Sequence, residues 1–159
     1  MFLFGGEIYQ TNGECFSNKK LFQLVINSDK LKMEFAAVDV LKGGPSPRTS
    51  HCMIGIDMEN MILLGGIGLE GSKKEEILRD MWLFNVEEVS WTRVDPMNGI
   101  LRGFCDSSLC LFNNKLHVIG GRTLTLDTWN QQISIIEFGE DESVKNEICS
   151  NCQQRTITR

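Results

Sequence analysis

An apolar run closed by a glycine pair occurs three times in this chain: Phe2-Leu3-Phe4-Gly5-Gly6, Ile62-Leu63-Leu64-Gly65-Gly66 and His117-Val118-Ile119-Gly120-Gly121. The spacings of 60 and 55 residues mark one supersecondary unit per repeat, a unit too small to hide its own faces without neighbours. Glycine outnumbers proline 15 to 3, so the punctuation favours turns and short strands over a helix bundle.

The flanks of the glycine pairs repeat as well. Pro47-Arg48-Thr49-Ser50-His51, the run Cys52 to Ile56 and a turn at Asp57 to Asn60 precede the second pair. Leu101-Arg102-Gly103-Phe104-Cys105, the run Ser108 to Phe112 and a turn at Asn113-Asn114 precede the third. Each half reads as two short strands joined by a hairpin, with Arg48 matched to Arg102 and His51 to Cys105. Beyond the second pair, Asp80-Met81-Trp82-Leu83-Phe84-Asn85 and Trp91-Thr92-Arg93-Val94 read as a further hairpin. Trp82 and Phe84 share a face by the period-two rule. In the first repeat, Phe22 and Leu24 take the places of Trp82 and Phe84, and Met33 to Val38 form the outer strand. In the third, Ile133, Ile135 and Phe138 would fill the third strand, and Val144 to Cys149 a weak fourth.

Arg-x-x-His, the apolar run with Gly-Gly, and Asp-Met-Trp-Leu-Phe-Asn followed by Trp91 together resemble the kelch repeat. The resemblance implies an all-β fold of kelch-type β-propeller blades, each a four-stranded antiparallel sheet, in an incomplete propeller. Residues 1–40 would form a partial blade lacking its first strand, 45–97 a full blade, 101–149 a blade with a weak fourth strand, and 150–159 a tail. Gly5, Gly6, Gly65, Gly66, Gly120 and Gly121 would end the second strands, and Trp82 and Trp91 would pin neighbouring blades.

Composition narrows the function classes. With 42% hydrophobic and 23% charged residues the chain is of ordinary globular type. A net charge of -5 opposes a phosphate-binding surface, so no nucleic acid is expected. The start Met-Phe-Leu-Phe-Gly-Gly lacks a basic region and has only four residues before glycine, so neither a leader nor a membrane span is expected. Six cysteines without a dense framework suit reduced thiols and a cytoplasmic or nuclear location.

Three other motifs have plainer readings. Gly66-Ile67-Gly68-Leu69-Glu70-Gly71 spells a dinucleotide fingerprint, yet the hairpin pattern of Met81 to Val94 opposes the crossover that such a site requires. Cys149 and Cys152 have metal-ligand spacing, but one pair is half a site. Asp106, Ser107 and Ser108 lack a nucleophile elbow, and the sole tyrosine, Tyr9, offers no match to the copper-radical oxidases that also carry kelch-like propellers. No catalytic residue, cofactor or metal is expected.

The resemblance implies that the segments following each Gly-Gly open onto one face, commonly the ligand face. Arg48, Arg102 and Arg122, with Lys73 and Lys74, would give that face positive charge. Trp129 would serve as its aromatic anchor. A guanidinium repeated per blade can fork onto carboxylates or bind backbone carbonyls between blades. The expected function is protein–protein interaction, an adaptor or substrate receptor gripping a peptide segment with an acidic or carboxylate-bearing group. Alternatives are a fragmentary propeller without independent activity and an accessory domain of an enzyme. Association with a ubiquitin ligase follows from the family analogy alone.

Overall fold

The computed structural model describes residues 1–27, 29, 32–40, 43–68, 75–94, 103–123, 133–137 and 153–157, the last as backbone only. Among these residues the chain is all-β and antiparallel, with no helix. The first sheet joins β1 (Phe2–Phe4), β4 (Leu21–Asn27) and β5 (Lys32–Val38), in that order. The second joins β7 (Cys52–Gly55), β8 (Asn60–Leu64), β11 (Met81–Asn85) and β12 (Ser90–Val94) as a simple meander. The third repeats that meander with β13 (Ser108–Phe112), β14 (Lys115–Ile119), β15 (Ile133–Glu137) and β16 (Gln153–Ile157). The fourth strand of the third sheet therefore lies in the segment expected to be a tail. Phe138 and the expected strand at 144–149 fall outside the described residues.

Local chemistry explains the turns. Asn113 and Asn114 both adopt positive φ, 49° and 57°, as the two-residue hairpin between β13 and β14 requires. Asp57 closes the turn between β7 and β8 by accepting hydrogen bonds from the amides of Glu59 and Asn60 at 2.8 and 2.7 Å.

Alternation of side chains within β8 and β11 divides the core in two. Leu63, Phe84 and Trp91 face the first sheet and pack with Phe4 and Leu21. Ile62, Leu64, Met81 and Val94 face the third and pack with Phe104, Leu116, Val118 and Ile136. The middle sheet is thus buried on both faces, which is why Met61 to Leu64 reads as an unbroken apolar run.

The pin between the first two sheets differs in one detail from expectation. Phe84 is fully buried, 5.3 Å from Phe2 and 4.8 Å from Trp91 between ring centres. Trp82 is only half-buried at the rim of the same cluster. Its indole N–H finds the acceptor that such a ring requires in Asp80.

Register also corrects the pairing of the repeats. Cys52 lies opposite Leu64, two residues before Gly66, and Ser108 lies opposite Ile119, two before Gly121. Counting back from these positions, Arg48 corresponds to Phe104, and Ser50 to Asp106. The shared φ of 54° at Ser50 and Asp106 agrees. Arg102 is then the counterpart of Ser46, and Cys105 that of Thr49, so neither expected match holds. The hairpin of the third repeat is one residue shorter, which accounts for one of the two residues by which the expected matches are out.

Candidate functional site

The glycine pairs are the joints from which the site is built. All six glycines have positive φ, from 56° at Gly65 to 104° at Gly66. This geometry ends the strand and turns the next amide toward the neighbouring sheet. The amide of Gly6 donates to the carbonyl of Arg48 at 2.9 Å, and that of Gly66 to the carbonyl of Phe104 at 2.7 Å. The first two pairs are thereby stitched to the segments that open the following repeats. At the second pair, β6 (Arg48–Thr49) and β10 (Glu76–Ile77) flank β9 (Ile67–Gly68) in a small sheet of their own. Ile67 and Gly68 therefore pair within an antiparallel sheet, and Glu76 and Ile77 are strand rather than helix, the opposite of what a dinucleotide crossover requires.

Arg48 lies inside this joint, with 1% of its surface exposed. Its two terminal nitrogens fork onto Asp80 at 2.6 and 2.7 Å, and it donates further to the carbonyls of Gly65 and Ser46 and to the Ser46 hydroxyl. Asp80 also accepts the indole N–H of Trp82 at 2.6 Å. Burial by itself would raise the Asp80 carboxyl, but the Arg48 fork and the Trp82 bond outweigh it and hold the group below its ordinary value. The arginine expected to meet a partner is consumed within the protein, satisfying a carboxylate and backbone carbonyls together.

His51 sits beside this knot, edge-on to Phe4 at 5.7 Å between ring centres. Its Nδ1 is buried and has no hydrogen-bond partner among the described residues. Burial, followed by the charge of Arg48, lowers its pKa to about 4, so the ring is neutral at pH 7. In the third joint Arg122 pairs with Asp106, partly open to solvent, and its backbone bridges Cys105. Cys52 and Cys105 are buried free thiols, and burial pushes Cys52 up to about 11, far from the reactive thiolate range. Arg102, Lys73, Lys74 and Trp129, together with Cys149 and Cys152, fall outside the described residues.

Sequence reasoning missed an exposed element of this face. Between Gly6 and Asn18, β2 (Glu7–Tyr9) and β3 (Cys15–Ser17) form a separate hairpin, turned at Asn12 and Gly13. Ile8 and Phe16 are paired on one of its sides, and Glu7, Tyr9, Cys15 and Ser17 lie on the other. Tyr9 is 72% exposed and donates from its hydroxyl to Glu7 at 2.5 Å. That bond, with weaker help from Cys15, raises the phenol to about 12. Burial first, with the charges of Glu7 and Glu75 adding to it, raises the Cys15 thiol. The signal was present in the sequence as Asn12-Gly13 between two short alternating runs.

The fold defines a class: sheets stacked face to face, joined at glycine turns, in the manner of a β-propeller. The solved structure of YjhT superposes with a TM-score of 0.70 at 10% identity, covering 99% of this chain and 48% of that one. That likeness shows the fold alone. In sequence, the chain is similar to the flagellar outer-arm dynein alpha chain of Chlamydomonas reinhardtii, 25% identical over 139 residues. This match takes in 87% of the chain but spans only 3% of that relative. No family model matches.

Proposed function

We propose that the chain is a kelch-type protein-interaction module that holds a peptide segment of another protein on the face carrying the loops after Gly-Gly. The observation that supports this most is the β2–β3 hairpin. It presents Ile8 and Phe16 as an apolar pair and Tyr9 as an exposed aromatic, on an element that adds nothing to either core cluster. Aromatic residues on an ordered hairpin are efficient anchors because little side-chain freedom is lost on binding.

The hairpin changes the partner chemistry. Arg48 and Arg122 already engage Asp80 and Asp106, so a carboxylate on the partner would be met by Arg102, Lys73 or Lys74. The primary contact is an apolar partner residue seated on Ile8 and Phe16. The role is binding, in the cytoplasm or nucleus, without catalysis or a cofactor; service to a ubiquitin ligase rests on the kelch analogy. A second reading is an accessory segment within a very large chain, and the similarity to a stretch of a flagellar dynein chain favours it.

The test is affinity capture with the full chain, comparing wild type, Ile8→Ser with Phe16→Ser, and Arg102→Ala with Lys73→Ala and Lys74→Ala. A partner lost with the hairpin variant supports the reading, and its loss with the basic variant adds the carboxylate. Identical partners on all three folded proteins would overturn it.

A further inference from the structure

Position for position, the outward faces of the first and third sheets match the faces that already meet inside the chain. In the second sheet, Leu63, Phe84 and Trp91 lead into the first sheet and are buried. By register their counterparts in the first sheet are Leu3, Leu24 and Phe35. Leu3 and Phe35 stand 45% and 59% exposed. On the receiving side, Phe4 and Leu21 accept Phe84 and Trp91, and Leu64 and Met81 play the same part toward the third sheet. Their counterparts there are Ile119 and Ile133, 45% and 41% exposed. Among the described residues, therefore, one donor face and one acceptor face are left unmatched, of a single kind of joint used twice already.

From this we infer that two copies of the chain associate head to tail, the third sheet of each receiving the first sheet of the other, and so close one propeller. The joint is heterologous, with different faces in contact, and the two faces lie at opposite ends of the molecule. Such joints either close a ring or run on as fibres. Closure at two copies has independent support in length. One chain covers 48% of the YjhT structure, so two supply about the whole of a fold of that kind. Three sheets doubled also fall within the roughly four to eight blades that propellers contain. A second copy fits both faces at once by contacts of a type already present.

The full-length protein tests this by sedimentation velocity across a concentration series, with small-angle scattering on the same samples. The expected result is a concentration-dependent monomer and dimer, the dimer compact and ring-shaped. Phe35→Lys spoils only the donor face and Ile133→Lys only the acceptor face, at positions already open to solvent. Each variant alone should raise the apparent dissociation constant at least about tenfold. Mixed one to one, they should form a heterodimer through the single intact joint. Circular dichroism confirms that each retains its strands. A wild-type monomer at all concentrations, as expected if longer flanking sequence covers these faces instead, overturns the inference. So does a like-to-like dimer, in which one of the two variants still pairs with itself, or growth into open polymers. The wild-type mass and shape decide the matter even if one variant fails to fold.

Discussion

Arg48 and Asp80 stand 32 residues apart in the chain and meet in a two-pronged ion pair closed off from solvent, at 2.6 and 2.7 Å. The pair ties the entry of the second repeat to the residue just before β11. The same guanidinium also caps the carbonyl of Gly65 at 2.9 Å. One side chain thus satisfies the glycine turn, the acid and the strand entry.

Removing either member leaves the other charge buried. Arg48→Ala and Asp80→Asn should each lower the unfolding free energy by about 3–5 kcal/mol, read from urea midpoints at constant slope. Arg48→Met with Asp80→Leu should recover part of that loss, because no lone charge remains.

Acid should weaken the protein before its carboxylates titrate. The folded pKa of His51, about 4, lies below its unfolded value near 6.5. Its contribution is therefore fully present above pH 6.5 and is lost as pH falls toward 4, on the order of 3 kcal/mol. Asp80 and Asp106 are also held low, Asp106 chiefly by the Ser50 hydroxyl. Their stabilisation disappears only below the ordinary carboxylate range. Unfolding midpoints measured from pH 7 to pH 4 should fall for wild type and stay nearly level for His51→Gln.

The aromatic pin separates by residue. Phe84→Ala should cost about 3–5 kcal/mol because the site is closed between two sheets. Trp82→Phe keeps an aromatic ring at the half-buried rim but loses the bond to Asp80 and part of the indole packing, for roughly 1.5–3 kcal/mol. Thermal unfolding that ranked the two in the reverse order would reassign the joint to Trp82.

Gly65 and Gly120 share the left-handed backbone but not their surroundings. A Cβ on Gly65 would collide with the carbonyl of Phe104, whereas one on Gly120 meets nothing within 4 Å. Gly120→Ala should cost only the conformational penalty, roughly 1–2 kcal/mol. Gly65→Ala should abolish soluble folded protein, or cost several times as much, as read from expression and melting temperature.

Most of the strand pattern was legible because it depends on near neighbours. The runs Met61 to Leu64 and Met81 to Asn85 announce strands buried on both faces, and Asn113-Asn114 announces its own turn. Phe22 and Leu24 do take the register positions of Trp82 and Phe84, opposite Leu3 and beside β5. β16 was not legible there, since Gln153-Gln154-Arg155-Thr156 has no apolar alternation and the strand exists by pairing with β15. The β2–β3 hairpin was passed over because its two strands are only three residues each.

What the sequence determined by itself was the repeated unit, its all-β character and the places where the backbone must turn, since spacing, alternation and glycine act over a few residues. Tertiary structure alone decided the fate of the charges. Arg48 and Arg122 look alike in the sequence, yet one is sealed against Asp80 and the other reaches Asp106 at a solvent-facing joint. Arg102 loses its supposed equivalence to Arg48 through a two-residue difference in register, of which the shorter β13–β14 hairpin supplies one. An ionic group is satisfied by whichever partner the fold brings within about 3 Å, and that partner lies far along the chain, where no local pattern records it.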